Sequence, residues 1–303
     1  LEEEVDHDIV ATFVELIRRK GPVQLYLNFL KALSTCEGLA VGSASMLGAA
    51  VEVQPMAAGA EGEAKLVEHA VGPDAVLRSG DVLLVADNAY DPTRSAATGL
   101  LAGFGIKHRF FDPLDLDAYE AAFCDRTRAV MLEVPGSLTM EVCDIPALAR
   151  IARAKGAVSL VDNTWATSRG FPALEHGCDI AITALTKHVG GHSDVMMGSA
   201  SAAERWYRRL RLGAQQLGHV VSPDDAALVL RGLRTMGVRL EKQSATALAV
   251  AEWLAGRDEV AHVLAPMLPG TPGHTLWQRD FSGGCGLFSF VLTGMRGGRS
   301  SLS

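Results

Sequence analysis

Two charged residues stand where a catalytic site would need them. Val161-Asp162-Asn163-Thr164 puts an acid directly after a short apolar run. Thr186-Lys187 follows a second run, Asp179-Ile-Ala-Ile-Thr183, just ahead of the loop His188-Val-Gly-Gly-His-Ser-Asp194. If both runs are strands of a parallel sheet, the residues just past their ends converge on one crevice. An acid and a lysine in such a place suit amine chemistry. A lysine whose pKa is depressed by desolvation or by neighbours forms a Schiff base with a carbonyl compound. An acid pairs with a protonated pyridine nitrogen and so makes such a ring an electron sink. By residue type alone other readings stand beside this one. A strand-end aspartate also serves as a turn or cap residue, a lysine as a surface charge, and Gly190-Gly191 as loop punctuation.

The surrounding chain has the periodicity to position these residues. Asp81-Val-Leu-Leu-Val-Ala86 is a short apolar run bounded by turn residues and reads as a buried strand. Helical pattern follows over Ser95 to Gly103, then a strand at Lys107 to Phe111 and a helix at Asp115 to Phe123. Ala129 to Glu133 and Ala157 to Val161 read as strands around a helix from Ile145 to Lys155. Strands alternating with helices imply an α/β fold with a mainly parallel sheet covered on both faces. Ser222-Pro-Asp-Asp225 has a cap residue, a first-turn proline and first-turn acids, so a long helix is expected from there to Leu254. A second, smaller unit is expected to begin near Arg257. The first 78 residues have weaker patterns, with amphipathic helices expected at Asp8 to Lys20 and Gln24 to Leu33.

Composition excludes several classes. The chain has 303 residues, a net charge of −7 and 48% hydrophobic residues, so it must bury a large core and is not globally disordered. An acidic balance without a basic stripe argues against nucleic acid as a partner. The basic stretch Arg205 to Arg211 is interleaved with Trp206, Tyr207 and Leu210 and reads as a helix with a solvated face. No run is long and apolar enough for a membrane span, and Glu2-Glu-Glu4 does not suit a signal peptide. The five cysteines are scattered without C-x-x-C spacing, which points to reduced thiols and a cytoplasmic location. His188 and His192 have no metal-ligand spacing and read as structural or solvated, and Cys178 as a core residue.

Several stretches together narrow the reading. Leu132-Glu-Val-Pro-Gly-Ser-Leu-Thr-Met-Glu-Val142, Val161-Asp-Asn-Thr-Trp-Ala-Thr167 and Thr186-Lys-His-Val-Gly-Gly-His-Ser-Asp194 resemble the Cys/Met-metabolism family of pyridoxal-phosphate enzymes. The pattern is most similar to the bacterial cystathionine β-lyase branch, with its Pro-Gly-Ser and its Trp after Asp-Asn-Thr. The resemblance begins near Ser79 and includes Asp87-Asn-Ala-Tyr-Asp-Pro-Thr-Arg94. It runs on through Leu230-Arg-Gly-Leu-Arg-Thr-Met236, Gly273-His-Thr-Leu-Trp-Gln-Arg-Asp-Phe281 and Gly286-Leu-Phe-Ser-Phe290.

The resemblance implies a fold of the type I pyridoxal-phosphate enzymes, with pyridoxal 5′-phosphate held by Lys187, which also shuttles the Cα proton. It implies that Asp162 pairs with the ring nitrogen, that Tyr90 stacks on the ring and takes part in catalysis, and that Ser137 lies near the ring hydroxyl. Thr186 and Thr183 would help to hold the phosphate. Read without the resemblance, Tyr90 and Ser137 also suit turn positions. The implied reaction is β-elimination of cystathionine, a small amino-acid thioether, to homocysteine, pyruvate and ammonia. The implied assembly is a homodimer or homotetramer. Two alternatives share the same core: a γ-acting relative, and a cofactor-binding homologue without activity.

Both ends depart from the family pattern. Tyr26 is followed by Leu27-Asn28 where the family has Tyr-x-Arg, and the phosphate-binding Ser-Gly-x-Ala turn has only a poor counterpart over Gly42 to Gly48. After Val291-Leu292 the likeness stops, before the family's carboxylate-binding arginine and its Ser-Trp-Gly-Gly stretch. The expected organisation is a divergent segment at 1–44, a cofactor-binding sheet domain at 45–235, and a linking helix with an incomplete small α/β unit at 236–303.

Overall fold

A computed structural model describes residues 76–293. The expected helices at Asp8 to Lys20 and Gln24 to Leu33, the 1–44 segment, Tyr26 and the Gly42 to Gly48 turn lie outside the described residues. Six strands form one sheet: β1 (Val82–Ala86), β2 (Lys107–Phe111), β3 (Thr127–Glu133), β4 (Val158–Asp162), β5 (Ile180–Ala184) and β6 (Gly198–Ala202). Their spatial order is β2-β1-β3-β4-β5-β6. Every pairing from β2 to β5 is parallel, and only β6 runs antiparallel, against β5.

The strands are apolar along their whole length because both faces are covered. Val82, Leu84, Val130, Leu132 and Val161 pack into one buried cluster, while Leu83, Val85, Ala129, Met131 and Leu160 pack into the other. Alternation of side chains along each strand separates the two sets. The first face is covered in part by α3 (Ile145–Ala154) and the second by the helical segment after β1, through Ala97 and Leu101.

The helices start where their cap residues dictate. Asp115 accepts from Ala118 N at the head of α2 (Leu116–Ala121), and Asp144 accepts from Ala147 N at the head of α3. One boundary differs from the sequence expectation. Helix α1 begins at Asp91, not Ser95, spans Asp91–Ala96 and continues through a π-helical turn over Ala97–Leu101. Asp91-Pro92 is the acidic, proline-bearing first turn of that helix and not a free turn. Strand β6, Gly-Ser-Ala-Ser-Ala, has no apolar pattern from which it could have been expected.

A short α4 (Thr167–Gly170) follows β4, and α5 (Glu204–Gln216) follows β6. Helix α5 carries the expected basic stretch, with Arg205 paired to the buried Asp179 at the start of β5. The 33-residue α6 (Pro223–Ala255) opens with Ser222 accepting from Asp225 N. It leads to an antiparallel pair, β7 (Val260–Leu264) and β8 (Ser289–Leu292), around α7 (His274–Asp280). Arg279 of α7 grips both Asp144 and Asp280, tying this part to the head of α3. Among the described residues no helix is long and apolar enough to cross a membrane.

Candidate active site

The sheet delivers its chemistry at the carboxyl ends of β1, β3, β4 and β5. The chain leaves β1 for β2 on one side and returns to β3 on the other, so β1 and β3 flank a topological switch point, the usual ligand position in such sheets. Tyr90 follows β1, Glu133 ends β3, Asp162 ends β4, and Lys187 follows β5.

Of the residues singled out in the sequence, Lys187 and Tyr90 meet directly: the Lys187 Nζ lies 5.4 Å from the centroid of the Tyr90 ring. The Tyr90 main-chain N–H donates to Glu133 Oε2 at 2.7 Å. Glu133 and Asp162 are register partners across β3 and β4. Asp162 is buried, and its Oδ1 accepts from Thr164 N at 2.9 Å. Thr164 in turn accepts from Ala184 N at 2.9 Å, which locks the end of β4 to the end of β5.

These groups lie close enough to act on one another electrostatically. Burial, then the negative charge of Glu133, Asp91 and Asp162, raises the Tyr90 hydroxyl above its ordinary value. Burial and then Asp162 hold the Glu133 carboxyl well above the carboxylate range, against the opposing pull of Lys187. His188, next to the lysine, is pushed down to about 4 by burial, then by Lys187 and Arg239, and so stays neutral near pH 7.

The remaining candidates lie on the segments that adjoin these strand ends. Ser137 N donates to Asn88 O at 2.8 Å, which ties the Pro-Gly-Ser turn to the loop carrying Tyr90. Thr183 sits half-buried on β5, paired with Ser199 of β6. The Thr186 hydroxyl accepts from Met197 N at 3.0 Å and lies 3.3 Å from Met197 O, so it is already engaged in holding the loop. Among the described residues no group of His, Cys, Asp or Glu could hold a metal ion. Cys178 is buried and pushed up to about 12 by that burial, as suits a core thiol.

Three features lay outside the sequence reading. Glu133 was visible only as a strand end. Cys285, fully buried and pushed up to about 12 by burial, comes within the electrostatic reach of Lys187. Its segment reaches the sheet through Trp165, whose Nε1 donates to Leu287 O at 2.8 Å.

The third feature is the contact between α6 and the lysine loop. Arg239 donates to Val189 O at 3.3 Å and Gly232 O at 2.9 Å, and Arg231 pairs with Asp194. A Cβ on Gly232 would overlap the main-chain oxygens of Gly190 and Val189. Gly232→Ala therefore has to push α6 off the lysine loop, at a cost of roughly 1–3 kcal/mol. Gly237, in the same helix, meets only the end of the flexible Arg169 side chain, at 3.4 Å. Alanine there gains about 1 kcal/mol of helix propensity. Thermal unfolding is expected to show opposite shifts of Tm, down for Gly232→Ala and up for Gly237→Ala.

The donor set fits pyridoxal phosphate. The amine of Lys187 and the ring of Tyr90 lie on one spot. The buried Asp162 spends only one oxygen on a hydrogen bond among the described residues, which leaves the other for a ring N–H.

Comparison with known proteins agrees on the family and corrects the extent of the likeness, which begins before Ser79 and runs on past Val291-Leu292. A family model described as Cys/Met metabolism PLP-dependent enzyme matches residues 55–302. A protein of Rhizobium johnstonii is 47% identical over 214 residues, which is 71% of this chain and 54% of that protein. Cystathionine beta-lyase MetC of Escherichia coli is 43% identical over 220 residues, 72% of this chain and 56% of that protein. Cystathionine beta-lyase of Salmonella typhimurium is 44% identical over the same shares. The chain spans about half the length of these relatives. With the sheet, the strand-end cluster and the 55–302 match in agreement, the chain belongs to the Cys/Met metabolism family of PLP-dependent enzymes.

Proposed function

We propose that this chain binds pyridoxal 5′-phosphate through Lys187 and catalyses β-elimination of cystathionine, releasing homocysteine, pyruvate and ammonia. The observation that carries the proposal is the Lys187 amine set 5.4 Å from the Tyr90 ring at the same sheet end as the buried Asp162. When bound, the cofactor supplies an electron sink for the pair of electrons released at the substrate Cα.

The protein's own groups do the rest. Lys187 would hold the cofactor by its amine and would serve as the base for the substrate Cα proton. Asp162 keeps a proton at the ring nitrogen. Tyr90 would hold the cofactor ring by stacking, and Ser137 would serve its hydroxyl. Of the two threonines assigned to the phosphate, only Thr183 keeps a hydroxyl without a hydrogen bond among the described residues, since Thr186 is engaged with Met197. The expected boundary between the cofactor unit (45–235) and the small unit (236–303) falls inside α6, which runs unbroken from Pro223 to Ala255 and joins the two. The four described cysteines are free, in keeping with a reducing cytoplasm. Assembly into a homodimer or homotetramer is supported by exposed apolar side chains on and just before α6, among them Val221, Leu230, Leu233 and Val238.

A γ-acting reading is favoured by one relative, cystathionine gamma-lyase of Dictyostelium discoideum, 36% identical over 220 residues. Incubation with cystathionine separates the readings. Pyruvate with homocysteine is the expected outcome, whereas 2-oxobutyrate with cysteine would assign γ-elimination. Cofactor uptake with neither product would leave a binding protein without activity.

A further inference from the structure

Strand β3 is apolar over Ala129-Val-Met-Leu132 and ends in a glutamate whose carboxyl lies among Asp162, Lys187, Glu141 and Tyr90. That placement is costly unless the carboxyl does something there. Its one hydrogen bond among the described residues is to the main-chain N–H of Tyr90. Tyr90 is the residue ahead of the first turn of α1. It has an extended-type backbone (φ −51°, ψ 136°) and no side-chain cap. Its carbonyl is used by Thr93 N at 2.9 Å and Arg94 N at 3.1 Å, which fixes the helix to it, whereas its N–H precedes the helical ladder and needs an outside acceptor. Glu133 supplies that acceptor from across the switch between β1 and β3.

We propose that Glu133 is the positioning residue for Tyr90: its carboxyl oxygen takes the Tyr90 N–H and so sets the tyrosine ring against the Lys187 amine. The inference rests on the reading that Tyr90 and Lys187 flank the cofactor. The groups facing Glu133 are Asp162 from β4, Lys187 beyond β5, Glu141 from the loop after β3, and Tyr90 itself at the head of α1. Burial, Asp162 and Glu141 favour the uncharged acid, against Lys187 and the Tyr90 amide. A neutral acid offers the amide the same carbonyl oxygen that a glutamine would. The geometry requires an acceptor oxygen at this position, which a glutamine side chain also supplies.

The test is titration of the full chain with pyridoxal phosphate, followed by visible absorption, for wild type, Glu133→Gln, Glu133→Met and the control Lys187→Ala. Glutamine keeps the acceptor and is expected to hold cofactor affinity within about 2-fold. Methionine fills a similar volume without a suitable oxygen and is expected to weaken affinity about 10-fold, the scale of one lost hydrogen bond. Glu133→Ala replaces it if the methionine variant does not fold.

A readout independent of cofactor accompanies it. Because the folded carboxyl sits above its unfolded range, its contribution to stability is complete at low pH and is lost as pH rises through the folded value. As pH rises through that range, Tm should therefore fall more, or rise less, in wild type than in Glu133→Gln. Wild-type affinity in Glu133→Met, or equal loss in the glutamine and methionine variants, would each overturn the inference. A lysine-dependent band lost in Lys187→Ala but untouched in Glu133→Met overturns this inference alone. A band surviving in Lys187→Ala overturns the site reading and this inference with it.

Discussion

Replacing Lys187 with alanine is expected to abolish turnover of cystathionine and to leave the protein colourless with pyridoxal phosphate, while its thermal stability changes little. The effect is large because the proposed role puts two duties on one atom. The Nζ near the Tyr90 ring is both the point of attachment and the base for the substrate Cα. No other described residue offers an amine at the sheet's carboxyl edge. His188, beside it, is neutral at pH 7 with its pKa pushed down to about 4, and an imidazole cannot condense with an aldehyde as a primary amine does. The fold does not depend on the amine: among the described residues Lys187 makes no salt bridge, and its loop is held through main-chain contacts such as Gly191 N to Lys187 O at 2.8 Å. Circular dichroism and Tm separate loss of chemistry from loss of fold. Residual turnover above about a thousandth of wild type would show that another group acts as the base.

Asp162 carries the second large effect. Asp162→Asn keeps the shape of the side chain and an oxygen for the Thr164 N–H, and removes only the negative charge. A charge-assisted hydrogen bond at a buried site contributes about 1.5–3 kcal/mol. At 1.4 kcal/mol per factor of ten, kcat should fall roughly 10–100-fold in Asp162→Asn, with a smaller change in cofactor affinity. Asp162→Ala should fall further, because Thr164 N then loses its acceptor at the point where β4 is tied to β5. Steady-state release of pyruvate measures both variants. Wild-type turnover in Asp162→Asn would remove the proposed partner of the ring nitrogen.

Much of this arrangement is legible in the sequence because the parallel strands are buried on both faces. Val82 to Ala86 and Val158 to Asp162 have no alternative to being strands once their turn residues are in place. The strand ends then mark Asp162 and Lys187 as candidates, and the longer motifs around them carry the rest of the reading. The antiparallel β6 escapes this logic. Its Gly-Ser-Ala-Ser-Ala has neither apolar periodicity nor β-branched residues, and it pairs with β5 because the chain after Met197 is led back along that edge. The start of α1 at Asp91 is hard to read for a different reason: an Asp-Pro dipeptide starts both turns and helices, and the next residues decide.

Glu133 and the contact of Gly232 with the lysine loop are long-range facts. Glu133 becomes a partner of Tyr90 only through strand order, since 43 residues separate them. Gly232 becomes indispensable only when the backbone of the Val189-Gly190 turn is laid against α6. Neither residue type signals this locally. A glycine inside a helical pattern reads as a weakness until the atom filling its missing side-chain space is known.

The central claim is that Lys187 is the residue that holds the cofactor. Reductive trapping tests it most directly: borohydride is added to the chain equilibrated with pyridoxal phosphate, and the modified peptide is located by mass spectrometry. One stoichiometric adduct on Lys187 is the result predicted here. Adducts spread over Lys107, Lys155 and Lys242, with Lys187 unmodified, would contradict it.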